Sequence, residues 1–196
     1  MLGMKKSNGF TLTELMVTLA IIAIIATLSG PSFSDMIKNN RLTTQANEFI
    51  TDLNVTRSEA VKRGTPVIMC RSINTTTCDT DGSRAKQWES GWLVFVDING
   101  DTNVDANEIL RVHNKLSGNN SLRSNTLIQH EITYQPTGRV AQAGSLALCD
   151  DRNGDGDKLD AEDFNAGRGV VIATTGRARA VKDPGTNTTT LTSCEP

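Results

Sequence analysis

Lys5-Lys6-Ser7-Asn8-Gly9-Phe10-Thr11-Leu12-Thr13-Glu14-Leu15 is the stretch that decides the fold, because it opens a run, Leu15 to Ser34, without one charged side chain. About 20 mostly apolar residues cross a bilayer core as a helix, so the run reads as a membrane segment. Glu14 stands alone at its edge, and a carboxylate in lipid is costly without a partner and marks function. Lys5 and Lys6 identify the cytoplasmic end. A secretory signal carries its small-residue cleavage site after the apolar region. Here the small residue, Gly9, precedes it, so a cut at that point leaves the apolar helix on the mature chain. An ordinary signal anchor with a chance glutamate is the competing reading.

Outward from that run the helix signal continues. Leu42, Ala46, Phe49, Ile50, Leu53, Ala60 and Val61 recur at three- and four-residue steps, with Lys38, Asn39, Glu48, Asp52 and Glu59 on the opposite face. Gly64 and Pro66 supply a C-terminal stop. One helix from about Phe10 to Arg63 is expected, its first half in a membrane or filament core and its second half packed on a head. From Val67 the pattern changes to short strands between Gly-, Asn- and Asp-rich turns: 67–71, 92–96, 109–112, 132–135, 146–149, 169–173, 177–181 and 190–194. The fold class is α+β, a long N-terminal helix packed on a mainly antiparallel sheet. The expected division is 1–9 leader, 10–34 membrane or assembly half, 35–66 soluble half of the helix, and 67–196 β-rich head.

The 196 residues leave room for one head and no second large domain. Aromatic residues are 4% of the chain, which predicts an aliphatic core. The balance of 20 Lys+Arg against 22 Asp+Glu argues against non-specific nucleic-acid binding by the whole surface, so any such binding is local. Cys70, Cys78, Cys149 and Cys194 lie on the side that the lysines place outside the cytoplasm, where an even count reads as two disulfides. Of three possible pairings, Cys70 with Cys78 closes a short polar loop and Cys149 with Cys194 tethers the tail. Metal binding by these cysteines competes poorly, since there is no Cys-x-x-Cys and neither His113 nor His130 is near a cysteine in sequence.

Gly9, Phe10 and Glu14 resemble the type IV pilins, whose leader ends in glycine, whose mature chain begins with phenylalanine and whose fifth mature residue is glutamate. Pro31 falls where many pilins carry a kinking proline. The resemblance implies cleavage after Gly9 by a prepilin peptidase and N-methylation at Phe10. It also implies an assembly role for Glu14, as partner of the Phe10 amine of another subunit. In the head, Trp88-Glu89-Ser90-Gly91-Trp92-Leu93-Val94-Phe95-Val96-Asp97, Asn99-Gly100, Leu110-Arg111, Cys149-Asp150 and Gly176-Arg177-Ala178-Arg179 are similar to the H-type pseudopilins and FimT/FimU minor pilins. That group implies a non-enzymatic, single-pass inner-membrane subunit with a periplasmic head. Its partners would be other minor pilins or pseudopilins, the major pilin and the prepilin peptidase, and its place a pilus or pseudopilus, at the tip. The acidic insertion after Cys149 and the tail after Val181 depart from the group's pattern.

Two acidic loops are candidate calcium sites; no other cofactor is expected. Asp97, Asn99, Asp101, Asp105 and Glu108 stand at the first, third, fifth, ninth and twelfth positions of an EF-hand-like loop, with Thr102 where glycine is demanded. The second contains Asp151, Asn153, Asp155 and Gly156, with Glu162 or Asp163 closing an irregular second half. Asn-Gly and Asp-Gly are equally ordinary hairpin dipeptides. The other candidate is double-stranded DNA. Arg177 and Arg179 alternate along a strand and project on one face, with Lys182 and Arg168 nearby, and such a stripe contacts phosphates without reading sequence. The Gly176–Arg179 motif resembles the one that FimT-like pilins of competent bacteria use to bind DNA during uptake; arginines at a strand edge also discourage aggregation. There is no Gly-x-Ser-x-Gly elbow, phosphate-cradling Gly-rich loop or His-Glu-x-x-His pair to suggest an enzyme.

Overall fold

The structure, a computed structural model, describes residues 9–101, 103–152, 161–182, 184 and 194, without the side chains of 26–32, 161 and 162. Its first element is α1, Leu12–Arg63. The helix stops at Gly64, whose φ of 67° suits the left-handed cap that glycine adopts without strain and whose N–H donates to Ala60 O at 3.0 Å. Two compact units divide the chain, 1–37 and 38–196.

In the first unit, Leu12, Leu15, Met16, Val17, Leu19, Ile21, Ile22, Ile24 and Ile25 are all exposed. Among the described residues no helix is long and apolar enough to cross a membrane. The expected membrane half, 10–34, runs on over residues whose side chains are not described. The part of the run with described side chains ends at Ile25, short of the roughly 20 residues a bilayer core requires. Of the remainder, 26–32, with Pro31, has no described side chains, and Phe33 and Ser34 are exposed.

The second unit is built from the rest of α1 and two four-stranded antiparallel sheets. Sheet A has the order β3-β2-β1-β5, from β1 (Val67–Arg71), β2 (Trp92–Val96), β3 (Ile109–His113) and β5 (Glu131–Tyr134). Sheet B has the order β4-β6-β7-β8, from β4 (Ser121–Ser124), β6 (Gly144–Cys149), β7 (Arg168–Ile172) and β8 (Ala178–Lys182). A short helix, α2 (Ala161–Ala166), precedes β7. The α+β expectation is met. Seven of the eight strands match within two residues, and the strand expected at 190–194 lies outside the described residues apart from Cys194. β4 was not anticipated: Ser-Leu-Arg-Ser carries no apolar alternation, and its serines are buried by pairing with β6 rather than by hydrophobicity.

Strand alternation sorts the side chains into two layers. Val67, Met69, Trp92, Val94, Ile132 and Tyr134 of sheet A share one core with Leu122, Leu146, Leu148, Val170 and Ile172 of sheet B, and with Leu42, Ala46, Phe49, Leu53 and Ala60 of α1. The core is not purely aliphatic as expected. Three of the chain's eight aromatics meet where helix packs on sheet, and Phe49 contacts Trp88 and Trp92 edge-on at centroid distances of 5.7 and 4.9 Å. Asp52, expected on the polar face, is buried because sheet A reaches it: Trp92 Nε1 donates to Oδ2 at 2.8 Å and Arg111 Nε pairs with Oδ1 at 3.0 Å.

Each sheet's outer face carries its own apolar cluster, and each cluster contains a disulfide. Ile68, Cys70, Leu93 and Phe95 lie under Cys78 and Val104 on sheet A, while Ala147 and Cys149 lie with Phe164 and Cys194 on sheet B. The pairings are Cys70–Cys78 and Cys149–Cys194, as expected. Phe164 of α2 and Cys194 thus pack on the outer face of sheet B. Beside the first disulfide, the buried Arg71 pairs with Asp79 at 3.3 Å and donates to the carbonyls of Asp79, Asp81 and Arg84, bracing the same loop.

Candidate functional site

At the start of α1 the chain answers the question that Glu14 raises. Thr11 occupies the N-cap; its N–H and hydroxyl donate to Glu14 Oε2 at 2.9 and 2.7 Å, and Glu14 N–H donates back to Thr11 Oγ1 at 3.2 Å. This is a capping box, which satisfies orphan amides at a helix start. Thr-x-x-Glu ahead of an apolar run is the readable signal of this cap, whereas Glu14 was read for its charge and its place in the pilin-like motif. Phe10 and Gly9 precede the cap, both exposed, with Phe10 at 83%.

The acidic loop 97–108 closes on its own backbone. Gly100 N–H donates to Asp97 Oδ1 at 2.7 Å, Asp101 N–H to Asn99 Oδ1 at 3.0 Å and Asn103 N–H to Asp101 Oδ1 at 2.8 Å. Glu108, fully buried, accepts from the N–H groups of Ile98 and Asp105, and Asn99 Nδ2 donates to Asp101 and Asp105. Among the described residues no group of three His, Cys, Asp or Glu side chains is placed to hold a metal. The loop's visible function is to lay Val104 on the outer face of sheet A. In the second loop Asn153 and Asp155 lie outside the described residues. Asp151 is half-buried and its carbonyl accepts from Lys38 Nζ at 2.8 Å, while Asp150 pairs with Arg152 at 3.2 Å.

The four basic residues expected to act together are divided by the sheet. In the β7–β8 register Arg168 faces Lys182, Val170 faces Ala180 and Ile172 faces Ala178, whereas Val171 faces Arg179. Cross-strand partners share a face. Arg168 and Lys182 therefore lie on the core side with Val170 and Ile172, where they border a small cleft against Thr43, Ala46 and Asn47 of α1. Arg168 is also bonded to the carbonyls of Ala166 and Gly167. Arg177 and Arg179 lie on the outer face, both exposed. These two are thus separated from the other two, because Lys182, three residues after Arg179, falls on the other side of the pleat, and Arg168 is its partner on the neighbouring strand. Gly176 has φ of 79°, and a Cβ there would lie 2.1 Å from Gly138 O, so the motif's glycine is demanded by packing alone.

The model of the type II transport protein GspH family matches residues 45–176, from the buried half of α1 to the turn before Arg177. The chain belongs to that family. The model of the prokaryotic N-terminal methylation motif matches residues 4–30 of this GspH-family chain, a span that includes Gly9, Phe10 and Glu14. No curated protein matches it. Two crystal structures of the type IV minor pilin FimU of Pseudomonas aeruginosa strain PAO1 are similar in fold. They have TM-scores of 0.56 and 0.53 and are both 18% identical, and the matches cover 81% and 78% of this chain and 98% and 99% of the crystallised FimU chains. The chain is a GspH/FimU-like pseudopilin, a family and fold of structural subunits rather than enzymes.

Proposed function

We propose that this pseudopilin is a minor subunit that enters a type IV pilus or a type II secretion pseudopilus near its tip and helps to initiate assembly. The observation that carries this reading is the first half of α1. Large apolar side chains are exposed at consecutive positions around the helix, and a helix apolar on all sides is stable only when covered. Before assembly an inner membrane is the cover, with the head in the periplasm; afterwards other minor pilins and the major pilin take its place. Cleavage by the prepilin peptidase between Gly9 and Phe10 and methylation of Phe10 fit the exposed segment ahead of the cap. Glu14 would exchange its Thr11 bonds for the Phe10 amine of a neighbouring subunit. Deleting the gene and scoring twitching, DNA uptake and exoprotein secretion separates the two machines: loss of secretion alone removes the pilus reading, and loss of motility alone removes the secretion reading.

A second reading, binding of double-stranded DNA, is favoured by one observation. Arg179 lies on the outer face of β8 and Arg177 two residues before it, at the turn that leads into the strand, both exposed and with no ion pair or side-chain hydrogen bond among the described residues. Phosphate contacts of that kind are non-specific and salt-sensitive. Full-length protein in detergent is expected to bind duplex DNA with an affinity that falls with salt, and Arg177→Ala with Arg179→Ala to weaken it. Unchanged affinity in the double variant would make the pair structural.

A further inference from the structure

The tip that carries Arg177 has a twin. Thr137-Gly138-Arg139 and Thr175-Gly176-Arg177 are the same tripeptide, and they occupy turns of the same construction. In the first, Gly138 N–H donates to Gln135 O and Gln135 N–H to Arg139 O, both at 2.8 Å. In the second, Gly176 N–H donates to Ala173 O at 2.8 Å and Ala173 N–H to Arg177 O at 3.0 Å. Both glycines are buried and left-handed, with φ of 74° and 79°. This is the hairpin turn in which a left-handed glycine forms the bulge and the next residue re-enters the strand.

The two turns come from different sheets and are pressed together. Gly176 packs against Gly138 O so closely that no side chain fits between them. Arg57 of α1 spans both, donating from Nε to Gly138 O at 2.9 Å and from Nη2 to Thr175 O at 3.1 Å. The buried Tyr134 hydroxyl donates to Gly176 O at 3.0 Å. Two exposed arginines, Arg139 and Arg177, are thereby held one residue beyond a rigid glycine–glycine contact. Among the described residues neither guanidinium has a hydrogen bond or ion pair. The last turn of α1 adds Lys62 and Arg63, and its one acid, Glu59, is already paired with both. This end of the head is therefore cationic although the chain as a whole carries a net charge of -2.

We propose that the paired Thr-Gly-Arg turns form one polyanion-binding surface, with Arg139 a third phosphate contact beside Arg177 and Arg179, and that its partner is double-stranded DNA. The inference rests on the DNA reading above and extends it to a residue of the other sheet. A duplex presents phosphates at regular spacing along a stiff rod, which suits a set of arginines fixed by backbone packing, and Arg57 and Tyr134 are positioning residues for it.

The test is fluorescence anisotropy of full-length protein in detergent with a short duplex of random sequence, repeated across salt concentrations. Arg139→Ala is expected to weaken binding about equally for any sequence and to reduce the slope of log K against log salt by about 0.9, the value of one phosphate contact. Arg139→Lys is expected to restore the slope, and Arg139→Gln to behave as Ala does with an unchanged melting temperature. If the parent binds, the Arg177→Ala with Arg179→Ala variant weakens it, and Arg139→Ala and Arg139→Gln do not, the paired surface is wrong and the DNA reading stands. If the parent fails to bind duplex at low salt, both fall. Tighter binding to vesicles containing phosphatidylglycerol than to duplex overturns the choice of partner.

Discussion

The two halves of α1 are one uninterrupted helix written on opposite plans. From Leu12 to Ile25 the large apolar side chains surround the axis and all are exposed. From Lys38 to Arg63 a single stripe is apolar, and Leu42, Phe49, Leu53 and Ala60 on it are completely buried. The head supplies the cover for the second half, whereas the described apolar side chains of the first are exposed. Head stability is therefore a property of the second half, and assembly a property of the first.

The largest effect that sharpens this contrast is expected at Phe49. Truncation to Ala removes the ring that Trp88 and Trp92 pack against and should lower the unfolding free energy by ~3–5 kcal/mol, the range for buried aromatics. Ile22→Ala in the first half should leave head unfolding within about 0.5 kcal/mol of the parent, as exposed sites do. Denaturant melts of full-length protein in detergent compare the two, and equal losses would break the contrast.

Next come the outer-face clusters. In the chain-entropy description a cross-link stabilises more as its loop lengthens. Replacing both Cys149 and Cys194 by Ala, which opens a separation of 45, is expected to cost at most about 4 kcal/mol. The same change at Cys70 and Cys78, separation 8, should cost at most about 2.5, and less in practice because Arg71 braces that loop independently. Thermal melts under oxidising conditions rank them, and the reverse order would contradict the braced-loop account.

These comparisons also show what the sequence disclosed. The helix, its stop at Gly64 and seven strands were legible because each rests on a local signal: three- and four-residue spacing, a left-handed glycine, short apolar runs between turns. β4 and the burial of Asp52 were not, because both depend on partners distant in sequence, Cys149 to Leu146 for the strand, Trp92 and Arg111 for the carboxylate. The basic patch was half-legible. Alternation placed Arg177 and Arg179 together, but only the β7–β8 register shows that Arg168 and Lys182 face the helix. Glu14 was read for its charge while Thr11, three residues before it, went unread as its cap.

Smaller effects remain. Asp52→Ala strands the Trp92 indole N–H and Arg111, and should cost about 1–3 kcal/mol in the same melts, the range for a buried group left unsatisfied. Tyr134, the chain's single tyrosine, offers a pH readout of the core beneath the paired turns. Burial pushes its hydroxyl up to about 12, with Arg57 pulling slightly the other way. The folded protein should therefore ionise at about pH 12 by ultraviolet absorbance, against about 10 for the unfolded chain. Between those values the unfolded state has lost the proton and the folded state has kept it, so stability falls as pH rises through that window. A midpoint near 10 in folded protein would place Tyr134 in solvent.

The most direct test of the central claim is recovery of the protein in sheared filaments from cells expressing either the parent or Glu14→Ala. The head disulfides and melting temperature serve as the folding control. Parent in the filament fraction and Glu14→Ala confined to the membrane, with the head unchanged, is the expected result. Glu14→Ala recovered in filaments at the parent's level would contradict an assembly role for the exposed half of α1 and its lone carboxylate.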